Sequence, residues 1–134
     1  MIAVDTSVAV AALVGWHEAH ERARHAASGA GIPAHARLET YSVLTRLPPP
    51  HRLAADIAAV LVGRWFPEAR TLVPSARLSR RLVERCSSLG LEGGAVYDAL
   101  VGLTAAEAKR TLVTRDARAA ETYARLGVAF ELVG

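Results

Sequence analysis

The chain reads as an α/β protein, a parallel sheet with helices on both faces. Two observations predict this. Short, apolar, β-forming runs alternate with longer helix-forming stretches from one end to the other, and such alternation builds parallel sheets through helical crossovers. No repeat, low-complexity tract or linker interrupts the 134 residues, so residues 1–134 form one domain of ordinary size.

The elements follow in order. Ile2-Ala3-Val4 is a short strand that stops at Asp5, and Thr6–Val14 is a short helix closed by Gly15. His17–Ser28 is polar and helix-forming and ends at Ser28-Gly29-Ala30-Gly31. Ile32–Ala36 is extended. Leu38–Leu47 is helical, with Leu38, Tyr41, Leu44 and Leu47 spaced for one face. Pro48-Pro49-Pro50 stops it, because the residue before a proline is pushed out of the helical region. Leu53–Trp65 is a helix and Arg70–Val73 a small strand. Ser75 caps a helix over Ala76–Leu89 that Gly90 ends. Gly93-Gly94 precedes a long helix, Ala95–Arg110, and Thr111–Thr114 is a strand. Asp116 opens a helix to Leu126, Gly127 ends it, and Val128–Val133 is the last strand.

Composition removes several classes. Hydrophobic residues at 51% and charged residues at 22% provide for a packed core and exclude disorder of the whole chain. The single cysteine, Cys86, excludes an internal disulfide and fits a reducing cytoplasm. Asp5 interrupts the apolar start and no basic residue precedes it, so a signal peptide is not expected. No apolar run approaches the ~20 residues of a membrane span. The net charge is +3, and all basic side chains but Lys109 are arginine. That balance is compatible with a nucleic-acid partner, since guanidinium groups match phosphate, and equally with a bias in genomic base composition. Aromatics at 5% speak against a single-strand binder built on stacked rings.

The acids are more informative. Asp5 and Asp116 each follow an apolar strand, at the sheet edge where open α/β folds place ligands. Glu39 and Asp98 fall in the first turns of their expected helices. Taken singly, each is as well read as a helix cap or a macrodipole partner. Taken together, four carboxylates would share one pocket, where mutual repulsion would hold one protonated unless a cation intervened. Oxygen-only donors select Mg²⁺, with Mn²⁺ as a substitute, and Mg²⁺ completes its shell with water and phosphate oxygens. The chemistry such a pocket implies is metal-assisted hydrolysis of a phosphodiester.

Four segments carry a family resemblance. They are Ile2–Val8 (IAVDTSV), Leu38–Pro48 (LETYSVLTRLP), Gly94–Leu100 (GAVYDAL) and Leu112–Asp116 (LVTRD). In this order and spacing the chain resembles, over essentially its whole length, the PIN-domain ribonucleases, specifically the VapC-type toxins of bacterial toxin–antitoxin pairs. The resemblance implies a central five-stranded parallel sheet and a Mg²⁺-dependent endoribonuclease that forms a homodimer and is neutralised by an antitoxin protein in the cytoplasm. It implies Asp5, Glu39, Asp98 and Asp116 as the catalytic and metal-binding quartet. It sets Thr6, Ser7 and Thr114 as small hydroxyls near the site. Arg46, Arg115 and Arg118 are candidates for holding the RNA backbone. Ala117-Arg118-Ala119 departs from the commonest family form, which leaves substrate contacts there open.

Other signals are set aside. His17 and His20 are three apart, whereas a zinc-protease helix needs four. Asp56 lies on a helix away from any strand end. A dehalogenase-like phosphatase needs a second aspartate where Ser7 stands, and a phosphorelay receiver needs an aspartate where Val73-Pro74 closes the third strand. Two other readings stand beside the nuclease: a catalytically silent PIN-like module that binds RNA or protein, and a DNA nuclease using the same metal chemistry.

Overall fold

The computed structural model describes every residue, Met1–Gly134. The strands are β1 (Ile2–Val4), β2 (Ile32–Pro33), β3 (Thr71–Leu72), β4 (Thr111–Thr114) and β5 (Phe130–Leu132). The helices are α1 (Thr6–Leu13), α2 (His20–Ala27), α3 (Ala34–Thr45), α4 (Ala55–Trp65), α5 (Ala76–Ser88), α6 (Ala95–Glu107) and α7 (Ala117–Arg125), with a single 3₁₀ turn at Glu68–Arg70. The expected alternation is therefore present, and every strand pair is parallel.

The expectation of one five-stranded sheet is corrected. The main sheet holds three strands in the order β1-β4-β5, with Val4 beside Val113 and Thr114 beside Leu132. β2 and β3 form a separate pair. A lone bridge between Ala3 and Gly31 joins the two, through Val4 N–H to Gly31 O at 2.9 Å and Gly31 N–H to Ile2 O at 3.0 Å. The physical reason lies in Pro33: it has no N–H for a ladder, and its fixed φ of −58° serves as the cap of α3 instead. β2 thus ends after two residues, and α3 begins at Ala34 rather than Leu38.

That early start also re-faces α3. Ala36, Thr40 and Leu44 form its buried stripe at i, i+4 spacing, while Leu38 is 67% exposed and not part of the expected apolar face. Small residues dominate the main core. Ala9, Ala11 and Ala12 on α1 are buried, as are Ala23 and Ala27 on α2, so the two helices pack closely. α6 is the most enclosed helix, with Ala99 and Val101–Ala105 all buried. It lies against α7, whose Tyr123 is among the largest fully buried side chains.

Gly102 makes that approach possible. A Cβ built on it would stand 2.8 Å from Tyr123 Cδ1 and 3.1 Å from Cε1. In an open helix, Gly→Ala gains about 1 kcal/mol. Here a rigid buried ring occupies the space, and overpacking of about 1–3 kcal/mol decides the sign. Gly102→Ala is expected to lower the urea midpoint at unchanged slope; a raised midpoint would contradict the packing described.

Candidate functional site

The chain runs from β1 to β2 on one side of β1 and returns to β4 on the other. The strand order therefore reverses between β1 and β4, where α/β folds open a crevice at the carboxyl edge. Asp5 follows β1 and Asp116 follows β4, which sets them beside each other at that crevice. α3 brings Glu39 to it and α6 brings Asp98. All four carboxylates line one cleft of about 410 Å³, together with Thr6, Ser7, His17, Arg115 and Tyr123.

Asp5 is the buried member, 5% exposed. As the N-cap of α1 its Oδ1 accepts from Ser7 N–H at 3.1 Å, and from Ser7 Oγ–H at 2.6 Å. Its Oδ2 accepts from the Tyr123 hydroxyl at 2.9 Å. Burial pushes its pKa up, opposed by hydrogen bonds from Ser7, Thr114 and Tyr123. Burial, with the negative charge of Asp5 next, raises the phenol of Tyr123 far above its ordinary value, so it stays a donor.

Asp116 caps α7, its Oδ1 accepting from Arg118 N–H at 2.9 Å and Ala119 N–H at 3.3 Å. Glu39 Oε1 accepts from Thr6 Oγ–H at 2.6 Å. It lies in the second turn of α3 and not the first, because the helix starts at Ala34. Asp98 stands in the first turn of α6. Its pKa is raised to about 6, first by burial and then by the charges of Asp116, Asp5 and Glu39; Arg118 opposes the rise. The carboxylates are thus close enough to repel one another.

The expected hydroxyls gather as well. Ser7 Oγ lies 3.4 Å from Thr114 Oγ1 and accepts from Arg115 N–H at 2.8 Å. Thr114 Oγ1 accepts from Asp116 N–H at 3.1 Å. Ser7 and Thr114 thereby stitch the ends of β1 and β4 together. Of the arginines, Arg115 lines the acid cleft, and Arg118 lines an adjoining cleft of about 560 Å³ that shares Asp98 and Asp116 with it. Arg46 does not join them: it caps the far end of α3, about two turns beyond Glu39, outside both clefts. Sequence reading missed Tyr123 and His17. A tyrosine in an apolar helix face gives no sign of its hydroxyl's partner 118 residues away.

The donor set fits a hydrated hard cation. The four acids offer only oxygen, and Asp98 carries a repulsion that a divalent charge would remove. They converge without closing into a cage: no group of three acids, histidines or cysteines stands in ready coordination geometry.

Residues 2–125 match the PIN domain family. The chain belongs to that family. Within it the chain is of the VapC type: it is 50% identical over 134 residues to Ribonuclease VapC40 of Mycobacterium tuberculosis (strains CDC 1551 / Oshkosh and ATCC 25618 / H37Rv), covering 99% of both chains. It is 49% identical over 129 residues to Ribonuclease VapC27 of the latter strain, covering 95% of this chain and 93% of that one. A solved structure titled "Structure of FitAB bound to IR36 DNA fragment" shares the fold, with a TM-score of 0.67 and 18% identity over 98% of this chain and 94% of that one. No helix is long and apolar enough to cross a membrane.

Two outcomes are expected of the site. Tyr123→Phe leaves Asp5 Oδ2 without its donor and costs about 1–3 kcal/mol at neutral pH, read by urea unfolding; an unchanged midpoint would contradict the role of the hydroxyl. For Asp98 the folded value lies above the ordinary 3.8. The folded state therefore holds its proton more tightly, and the penalty is absent below about pH 4, grows through 6 and is full above it. Asp98 is half exposed, so screening reduces the effect to about 1 kcal/mol. In chelator near pH 7.5, Asp98→Asn is expected to melt roughly 3–5 °C above wild type. Near pH 4 the difference should vanish. Equal melting at both pH values would contradict the repulsion.

Proposed function

We propose that the protein is the ribonuclease toxin of a toxin–antitoxin pair, cutting RNA within the strand with Mg²⁺ held among Asp5, Glu39, Asp98 and Asp116. The observation that carries this is the convergence of Asp5, Glu39, Asp98 and Asp116 on one cleft at the point where strand order reverses. The names of the VapC relatives, Ribonuclease VapC40 and Ribonuclease VapC27, support it.

A bound Mg²⁺, or Mn²⁺ in its place, would activate water and offset charge on the phosphate. The chain's own groups do the rest. Asp5 is fixed by Ser7, Val8 and Tyr123, and Glu39 by Thr6, so two carboxylates are held in place before substrate arrives. Asp98 and Asp116 stand at the opening shared by both clefts. Arg115 and Arg118 supply positive charge on either side of them, where a strand carrying phosphates would otherwise be repelled by the acids.

The antitoxin and homodimer are proposals on the same footing. Exposed Trp16, Ile57 and Val60 line an apolar groove of about 680 Å³ away from the acids. Exposed Leu38, Val83 and Tyr97 offer further apolar surface on α3, α5 and α6. Such surface supports protein partners. We place the activity in the cytoplasm, where the RNA is.

The test is incubation of wild type, Asp5→Ala and Asp98→Asn with total cellular RNA and Mg²⁺, followed by mapping of new 5′ ends. Wild type should produce them and each variant should lose at least about a hundredfold, as loss of a metal-site group entails. Full cleavage in excess chelator, or by either folded variant, would overturn the mechanism. RNA bound without new ends would favour the silent binding module.

A further inference from the structure

Two hydrogen-bond donors face each other at one end of the acid cleft. His17 lies in the connection between α1 and α2, half-buried, and lines the cleft with Arg115. Its Nδ1 accepts the N–H of Ala19 at 3.0 Å. An imidazole nitrogen that accepts carries no proton, so the ring's hydrogen sits on Nε2. Nε2 is 3.4 Å from Arg115 Nη1, which is also a donor and has no lone pair to offer. The two N–H groups therefore cannot satisfy each other. Both need one acceptor between or above them.

Arg115 is held for that task. Its backbone N–H is tied to Ser7 Oγ at 2.8 Å, and its Nε stands 3.5 Å from the carbonyl oxygen of Gly134. The guanidinium thus lines the cleft, with the His17 ring beside its Nη1. A neutral donor beside a guanidinium suits a phosphodiester oxygen, which takes charge-assisted hydrogen bonds from both.

We propose that His17 Nε2–H and Arg115 Nη1 together bind a backbone phosphate of the RNA strand, one subsite away from the phosphate to be cut. This rests on the nuclease reading for its substrate. It also sets the path of the strand. Asp98 and Asp116 are common to the His17–Arg115 cleft and to the adjoining cleft of Arg118 and Arg125. RNA entering over one pair of basic groups crosses the acids and leaves over the other.

The test is equilibrium binding of a fluorescein-labelled mixed-sequence RNA 12-mer to the intact protein, with Ca²⁺ in place of Mg²⁺. His17→Ala and Arg115→Ala should each weaken binding by about tenfold or more, a hydrogen bond to a charged group being lost in each. The double variant should lose less than the product of the two, because both donors serve one phosphate. Arg115→Ala should flatten the dependence of log K on log salt by about 0.7, while His17→Ala, removing a neutral donor, should not change it. His17→Gln, which keeps an N–H near the Nε2 position, should bind within about twofold of wild type, and a merely structural histidine would not be rescued this way. Wild-type affinity in His17→Ala, independent effects in the double variant, or failure of His17→Gln to restore binding would each overturn the pair. Cleavage in Mg²⁺ is scored separately. RNA bound through the pair but never cut would overturn the nuclease reading and leave the subsite standing. RNA cut by wild type, with His17→Ala binding as tightly, would overturn the subsite alone.

Discussion

A carboxylate taken out of water costs several kcal/mol unless its lone pairs find donors. Asp5 is placed at 5% exposure with its oxygens hydrogen-bonded by Ser7, the α1 backbone and the Tyr123 hydroxyl. Those donors come from α1 and from α7, so the buried acid at the end of β1 ties the first helix of the chain to the last. The Ser7–Thr114–Arg115 contacts extend the same tie to β4. The remaining acids are positioned by what this network holds rigid.

The other carboxylates sit in a different balance. Asp116 and Glu39 each have a local donor, but Asp98 is raised by burial and by its three acidic neighbours. A protein shaped only for stability would not set four carboxylates around one cleft. Asp98 is carried to this cleft by α6, whose close packing on α7 Gly102 permits. Core packing and the acid cleft thus meet in the same pair of helices.

Much of this was legible in the residues. Asp5 and Asp116 follow strands and precede helices, and both the strands and the caps are where periodicity and turn chemistry put them. Gly90 and Gly127 both adopt positive φ where helices were expected to stop. What failed turned on one local device and on contacts between distant segments. Pro33 ends β2 and starts α3 early, which shifts Glu39 into the second turn and Leu38 onto the surface. A local pattern could not show that an apolar-looking stripe would lose to Ala36 and Thr40. The split of the sheet depends on a lone bridge at Gly31, and the roles of Tyr123 and His17 depend on atoms far away in sequence.

The most direct measurement is crystallographic: grow the protein with Mn²⁺ and record anomalous scattering at the manganese edge. A single strong peak, or two about 3.5–4 Å apart, should lie within coordination distance of Asp98 and at least one of Asp5 and Asp116 oxygens. Density showing those side chains turned apart into solvent, with manganese bound elsewhere or nowhere, would contradict a cation as the partner that the four acids were gathered to hold.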